Sequence, residues 1–180
     1  MHQIGDYLLR IPEPRDLEYL YKQKNDPEIS VLLGGFSTGY SMEDMKNWLE
    51  YHRKRSDEVI WSIISKDDDI CVGHVGLYNI DHRVRSAEFA IMIGDKSIWG
   101  KGVGKNSTVF SVKYAFNELN INRVHLTVMS TNLRAIDLYK SLGFVVEGTM
   151  REAQYKGGKY IDLIIMSLLR SEYSTNETTR

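Results

Sequence analysis

The sequence has one cysteine, three prolines and no long apolar run in 180 residues. A single thiol, Cys71, rules out a disulfide within the chain and fits a reducing compartment. No stretch approaches the ~20 consecutive apolar residues that a membrane helix needs. The opening "MHQIGDYLLRI" lacks the basic region and apolar run of a signal peptide. These absences predict a cytoplasmic chain without membrane contact. An excess of one charge is missing too: the net charge is -1, so no basic field argues for nucleic acid. The five histidines show no metal-ligand spacing, so no metal is expected.

What remains is ordinary globular material. Apolar residues make up 42% and charged residues 26%, and a chain of this length buries about 70% of its unfolded surface without staples. One domain over residues 1–170 is expected, followed by a polar tail over 171–180.

Periodicity orders the elements. "YLLRI" reads as a strand, ended by Pro12 and Pro14, and "RDLEYLYKQKND" as a helix stopping near Pro27. Ser41 with Asp44 three residues on forms a capping-box pattern before a second helix, "MEDMKNWLEYHRKR". Between them, "ISVLLGGFSTGY" mixes glycine with apolar residues and is expected to fold over something. "EVIWSIIS", "ICVGHVGLYNI" and "SAEFAIMIG" alternate as three strands of an antiparallel meander. "STVFSVKYAFNEL" places Val109, Val112, Ala115, Phe116 and Leu119 at helical spacing. A strand "RVHLTVMS", a helix "NLRAIDLYKSL" closed by Gly143, and a hairpin turning at "KGGK" complete the chain. The order β-α-α-β-β-β-α-β-α-β-β predicts an α+β or mixed-sheet domain.

The stretch "SIWGKGVGKNSTVF" places Gly100, Gly102 and Gly104 among Trp99, Lys101, Val103 and Lys105, just before a helix. It fits neither the Walker spacing nor the dinucleotide fingerprint. The physics of anion binding still applies: unhindered amides form a concave nest, and the helix start adds its dipole and unpaired N–H groups. A tight strand-to-helix turn without a ligand is the plainer alternative.

Taken with "AEFAIMI", "TNLRAIDLYKSLGF", "VEGTMRE" and "YIDLIIMSLL", this stretch resembles the GNAT family of acetyl-CoA-dependent N-acetyltransferases. The resemblance covers residues 7–170 and is strongest over 72–169. Within the family it resembles the branch holding ribosomal-protein-alanine and spermidine acetyltransferases, with "IDHRVRSAEFAIMI" similar to the latter. The family's phosphate motif is Gln/Arg-x-x-Gly-x-Gly/Ala. Trp99 departs from its first position, while Gly102 and Gly104 match. The implied fold is a central, mostly antiparallel mixed sheet with a splayed pair of strands and about four helices. The implied activity is direct acetyl transfer from acetyl-CoA to a primary amine, with no metal. A non-catalytic CoA- or nucleotide-binding sensor on the same fold is the alternative.

The resemblance also implies roles. The splayed strand would pair with the pantetheine arm at Ile91, Met92 and Ile93, and residues 99–105 would cradle the pyrophosphate. Asn132 would contact CoA, or cap its helix. Tyr139 matches the general acid that protonates the leaving thiolate, although its place on an apolar stripe also suits the core. Glu88 is the candidate base, unless Arg83, Arg85 or Arg123 holds it in a salt bridge. His125 has parity opposite to its apolar neighbours and suits a paired or surface histidine. The acceptor stays open: a polyamine would need carboxylates such as Asp26, Glu28, Glu43, Asp44 and Glu88. A protein N-terminus would need a groove, and an amino sugar a polar and aromatic pocket. Further copies of the same chain are an open partner.

Overall fold

The computed structural model describes residues 1–34 and 39–173. The centre of "LLGGFSTGY" and the end of the polar tail therefore lie outside the described residues. No helix among the described residues is long and apolar enough to cross a membrane.

Eight strands form one sheet, in the order β1-β2-β3-β4-β5-β6-β8-β7. β1 (His2–Ile4) and β2 (Tyr7–Arg10) make a hairpin, then α1 (Leu17–Lys24), α2 (Pro27–Ser30) and α3 (Met42–Arg53) follow. β3 (Val59–Ser65), β4 (Cys71–Asp81) and β5 (Ser86–Ile93) form the expected antiparallel meander. α4 (Val103–Asn117) crosses to β6 (Arg123–Met129), which lies parallel to β5. α5 (Leu133–Ser141), β7 (Val145–Lys156) and β8 (Lys159–Leu169) complete the fold, and β8 inserts between β6 and β7. The mixed, mostly antiparallel sheet thus matches the expectation. β1 escapes sequence reading because three residues carry no period; its ring contact from His2 to Phe110, at 4.8 Å, and its buried Ile4 come from packing on α4.

Local chemistry fixes the ends of the elements. Ser41 and Asp44 form the reciprocal capping box of α3. Asp26 caps α2 with Pro27 at its first position. At the end of α5, Gly143 adopts φ +95. The Phe144 and Gly143 amides donate to the Tyr139 and Lys140 carbonyls, which is a Schellman closure. The β7–β8 turn uses Gly157 and Gly158, both at positive φ, as a two-residue hairpin of this type demands.

Two apolar layers sandwich the sheet. Ala87 and Phe89 of β5 join Val112, Phe116, Ile136 and Tyr139 from α4 and α5. Met92 joins Leu17, Leu20, Met45 and Leu49 from α1 and α3. The alternation along β5 sends successive side chains to opposite layers.

β5 and β6 pair only at Ser86, Ala87 and Glu88, opposite Arg123, Val124 and His125. Beyond Glu88, β5 stays on β4 and β6 stays on β8. Phe89, the first residue past the pairing, packs edge-on against Tyr139 at 6.1 Å. The strands splay here, as the family resemblance implies, and one edge of β5 is left without a strand partner.

Tyr173, at the start of the polar tail, is packed further than that composition suggests. Tyr173 lies on Phe116, with ring centroids 5.5 Å apart.

Candidate active site

The splay opens a cleft of about 400 Å³. Its walls are Ile91, Met92 and Ile93 of β5, the stretch from Trp99 to Lys105 without Lys101, and Asn132, Arg134, Leu138 and Tyr139 of the α5 region. Ile29, Leu32 and Leu33 close one side. Every expected CoA-contacting residue except Lys101 therefore meets in one cavity. Lys101 stays exposed outside it.

α4 begins earlier than its apolar spacing suggests. Gly102, in the left-handed region at φ +84, is its N-cap, and no side chain caps this end. The first amide with a partner is that of Asn106, on the Gly102 carbonyl. The Val103, Gly104 and Lys105 amides have no protein acceptor among the described residues, so the start of a fifteen-residue helix opens on the cleft with its dipole intact. Gly104 lies in the first turn. A Cβ there would come 3.2 Å from Ile93 Cδ1 and 3.6 Å from Leu138 Cδ2, so the glycine keeps the cleft open.

Trp99 does more than replace a polar residue. Its indole Nε1 donates to the Ile93 carbonyl at 3.1 Å. This bond ties the glycine loop to the splayed strand and occupies one backbone acceptor at the end of β5. Arg134, which the sequence reading missed, stacks on the Trp99 ring at 5.4 Å. A cation in the first turn of a helix opposes the macrodipole, and that mismatch in "TNLRA" is the signal that marks it. Arg134 and Lys105 place two cations at the glycine end of the cleft.

Asn132 has both geometries the sequence allowed: its side chain accepts from the Ala135 amide as an N-cap, and it lines the cleft. Tyr139 likewise packs in the core, against Phe144 at 5.7 Å, and reaches the cleft wall. Burial pushes its phenol up to about 12. No group bonds its hydroxyl among the described residues.

Glu88 faces the other layer, on the α1–α3 side. The salt bridge with Arg83, Arg85 or Arg123 does not form. Arg85 binds Asn120, Arg123 pairs with Glu147, and Glu88 accepts instead from Asn79 Nδ2 at 2.8 Å. Asn79 sits in a register irregularity of the β4–β5 pair with φ +49. Such irregularities re-aim side chains, and asparagine tolerates the left-handed backbone. His125 lies beside Glu88 across the short parallel pair, and its buried Nδ1 has no partner. Tyr139 and Glu88 thus stand on opposite faces of β5 at the residue where the splay begins. Among the described residues no three His, Cys, Asp or Glu side chains form a group that suits a metal.

Comparison with known proteins gives a consistent result. The family model described as "Acetyltransferase (GNAT) domain" matches residues 7–145. The putative ribosomal N-acetyltransferase YdaF of Bacillus subtilis is 34% identical, over 92% of each chain. The crystal structure of spermidine N-acetyltransferase from Vibrio cholerae in complex with CoA and spermine superposes with a TM-score of 0.87 at 28% identity. It covers 94% of this chain and 99% of that one. A dodecameric structure of the Vibrio cholerae enzyme gives a TM-score of 0.81 at 27% identity, covering 96% and 98%.

Proposed function

The chain belongs to the GNAT acetyltransferase family, and from that premise we propose how its own residues carry the reaction. It is an N-acetyltransferase that moves an acetyl group from acetyl-CoA to a primary amine. The observation that carries the assignment of residues is the single cleft joining the free edge of β5, the uncapped start of α4 and Tyr139.

The free backbone of Ile91 and Met92 takes the pantetheine arm as an added strand, and the Val103–Lys105 amides take the pyrophosphate, with Lys105 and Arg134 supplying charge. Trp99 holds the two binding elements in register through the Ile93 carbonyl. The thioester then lies at the splay, open to both faces of β5. Glu88, directly or through a water, takes a proton from the acceptor ammonium, which is not nucleophilic while charged. The amine nitrogen attacks the thioester carbonyl, the C–N bond forms and the C–S bond breaks. Tyr139 donates its proton to the departing thiolate, and the second proton shed by the acylated nitrogen returns through water to the tyrosinate, so that only the proton taken by Glu88 is released to solvent. Transfer is direct, within a ternary complex, and uses no metal. Full activity after dialysis against a chelator is the expected result, and loss restored by Zn²⁺, Mg²⁺ or Mn²⁺ would refute it. A cytoplasmic location fits a reaction on acetyl-CoA and the free, buried thiol of Cys71. Self-association, as in the dodecameric relative, is measurable by light scattering.

The binding half of this reading is tested at Gly104. Gly104→Val fills the space beside Ile93 and Leu138, and should raise the acetyl-CoA KM by at least ~10-fold, about 1.4 kcal/mol of binding. Calorimetric titration with CoA, beside a melting curve, measures it. Unchanged CoA affinity in a folded variant would remove the helix start from the phosphate site.

A further inference from the structure

We infer that Asn79 is a positioning residue for the acetyl transfer: a one-residue bulge in β4 turns its amide onto the Glu88 face, where it holds the carboxylate that takes the acceptor's proton. This deepens the acetyltransferase reading above and rests on Glu88 as its base.

Tyr78 pairs with Glu88 and Asp81 with Ser86, so β4 places two residues, Asn79 and Ile80, opposite the single Ala87 of β5. In an unbroken strand the residue after Tyr78 would point to the opposite face, toward α4 and α5. The extra residue breaks that alternation. Ile80 enters the layer that holds Ala87 and Phe89. Asn79, at φ +49, reaches the Glu88 side instead, and its Nδ2 donates to Glu88 Oε2 at 2.8 Å. Glu88 Oε1 is bonded by no residue among those described. One oxygen is held, and the other is left for the acceptor.

Glycine would meet this left-handed backbone without strain, yet the chain carries an amide side chain there. The bulge is also fixed from outside the strand pair. The Ile80 amide donates to the Asp57 carbonyl at 2.8 Å, and Arg55 Nη2 lies 3.5 Å from Asn79 Oδ1. Arg55 is itself held by Asp57, through Nε at 2.9 Å. A guanidinium only donates, so it faces the oxygen of an amide, and this contact turns the Asn79 nitrogen toward the carboxylate. A guanidinium paired directly with a carboxylate makes it a poorer base. A neutral amide between the two orients the carboxylate while keeping the full charge of Arg55 off it.

The other titratable groups around Glu88 are its strand neighbours, Tyr78 on β4 and His125 on β6. His52 of α3 stands beyond Tyr78, with ring centroids 6.0 Å apart, and Glu58 is paired there with His52 and Arg55. Burial first, then Glu58 and Glu88, push the Tyr78 phenol up, so it stays neutral and adds no charge to the site. Asn79 is the one side chain among the described residues that bonds Glu88.

The test measures kcat by CoA thiol release, with the best of spermidine, glucosamine and a peptide with an N-terminal alanine as acceptor. Asn79→Gly keeps the left-handed backbone and removes the amide. It should lower kcat by ~10-fold or more, within the range for a misplaced catalytic group, with the acetyl-CoA KM and the melting temperature nearly unchanged. Asn79→Asp keeps the shape and puts a second carboxylate beside Glu88. Like charge disfavours ionisation, so the acid limb of the kcat profile should move to higher pH by ~1 unit or more. Glu88→Gln should lower kcat further, and adding Asn79→Gly to it should change kcat by less than ~2-fold, because the amide then has no base to hold. Wild-type kcat with an unmoved acid limb in both Asn79 variants, or an Asn79→Gly loss as large in Glu88→Gln as in the wild type, would overturn the inference and leave Glu88 as the base. Wild-type kcat in Glu88→Gln would overturn the inference together with the base assignment. A folded protein that binds CoA but acetylates none of the three acceptors would overturn the acetyltransferase reading as well.

Discussion

Tyr139→Phe should lower kcat by ~10²–10⁴, the usual contribution of a positioned proton donor. The substitution removes one oxygen and keeps the ring. That ring packs between Phe89 and Phe144, and the backbone carbonyl of residue 139 accepts the Phe144 amide of the Schellman closure. Both features survive in phenylalanine, so the melting temperature and CoA affinity should stay nearly constant. Loss of turnover without loss of fold separates an acid from a core residue. The pH profile adds a second check. Burial raises the phenol from its ordinary value of 10.0 to about 12, so the proton stays in place through the alkaline range. kcat/KM should rise as the acceptor amine deprotonates, without a falling limb from Tyr139 below about pH 11. A kcat within threefold of wild type would return Tyr139 to the core and leave the proton to solvent.

The largest stability effect is expected far from the cleft, at Asp16. Its carboxylate accepts from Arg10 Nη1 and Nη2 at 2.8 and 2.7 Å, from Ser62 Oγ at 2.8 Å and from the Glu13 amide at 2.9 Å. Asp16 is 2% exposed and Arg10 6%. This clamp joins β2 and β3 to the start of α1. Asp16→Ala strands a buried guanidinium, which costs about 3–5 kcal/mol. In a chain of this size that lowers the melting temperature by about 6–20 °C. The double change Arg10→Met with Asp16→Leu should recover much of the loss, because removing both charges leaves none uncompensated. Calorimetry on the three proteins measures this. A single variant melting within about 2 °C of wild type would show that the clamp contributes little.

Sequence patterns by themselves determined the local elements, because each is fixed by neighbours in the chain. The alternation in "SAEFAIMI", the capping box at Ser41 and Asp44, and the position of Gly143 each encode backbone geometry within a few residues. The glycines before α4 were equally legible, since positive φ at Gly100 and Gly102 and the tight space beside Gly104 are demands only glycine meets without strain. The tertiary structure decided everything that depends on residues distant in sequence. The insertion of β8 between β6 and β7 is a choice of strand partner that no period carries. The β5–β6 pairing ends at Glu88, and the next residue, Phe89, packs on Tyr139 from a helix distant in sequence. Trp99 acquires its role from the Ile93 carbonyl and Arg134 from the Trp99 ring. For Glu88 the sequence left a salt bridge with an arginine open as the alternative to a base, and the backbone irregularity at Asn79 gives it an amide partner instead. Lys24 reads in sequence as one more charge at the end of a helix; only the approach of Trp48 and Tyr40 makes it a desolvated cation. Hydrophobic period and turn chemistry are local and survive in the unfolded chain, whereas charge environment is created by packing and exists only once the layers close.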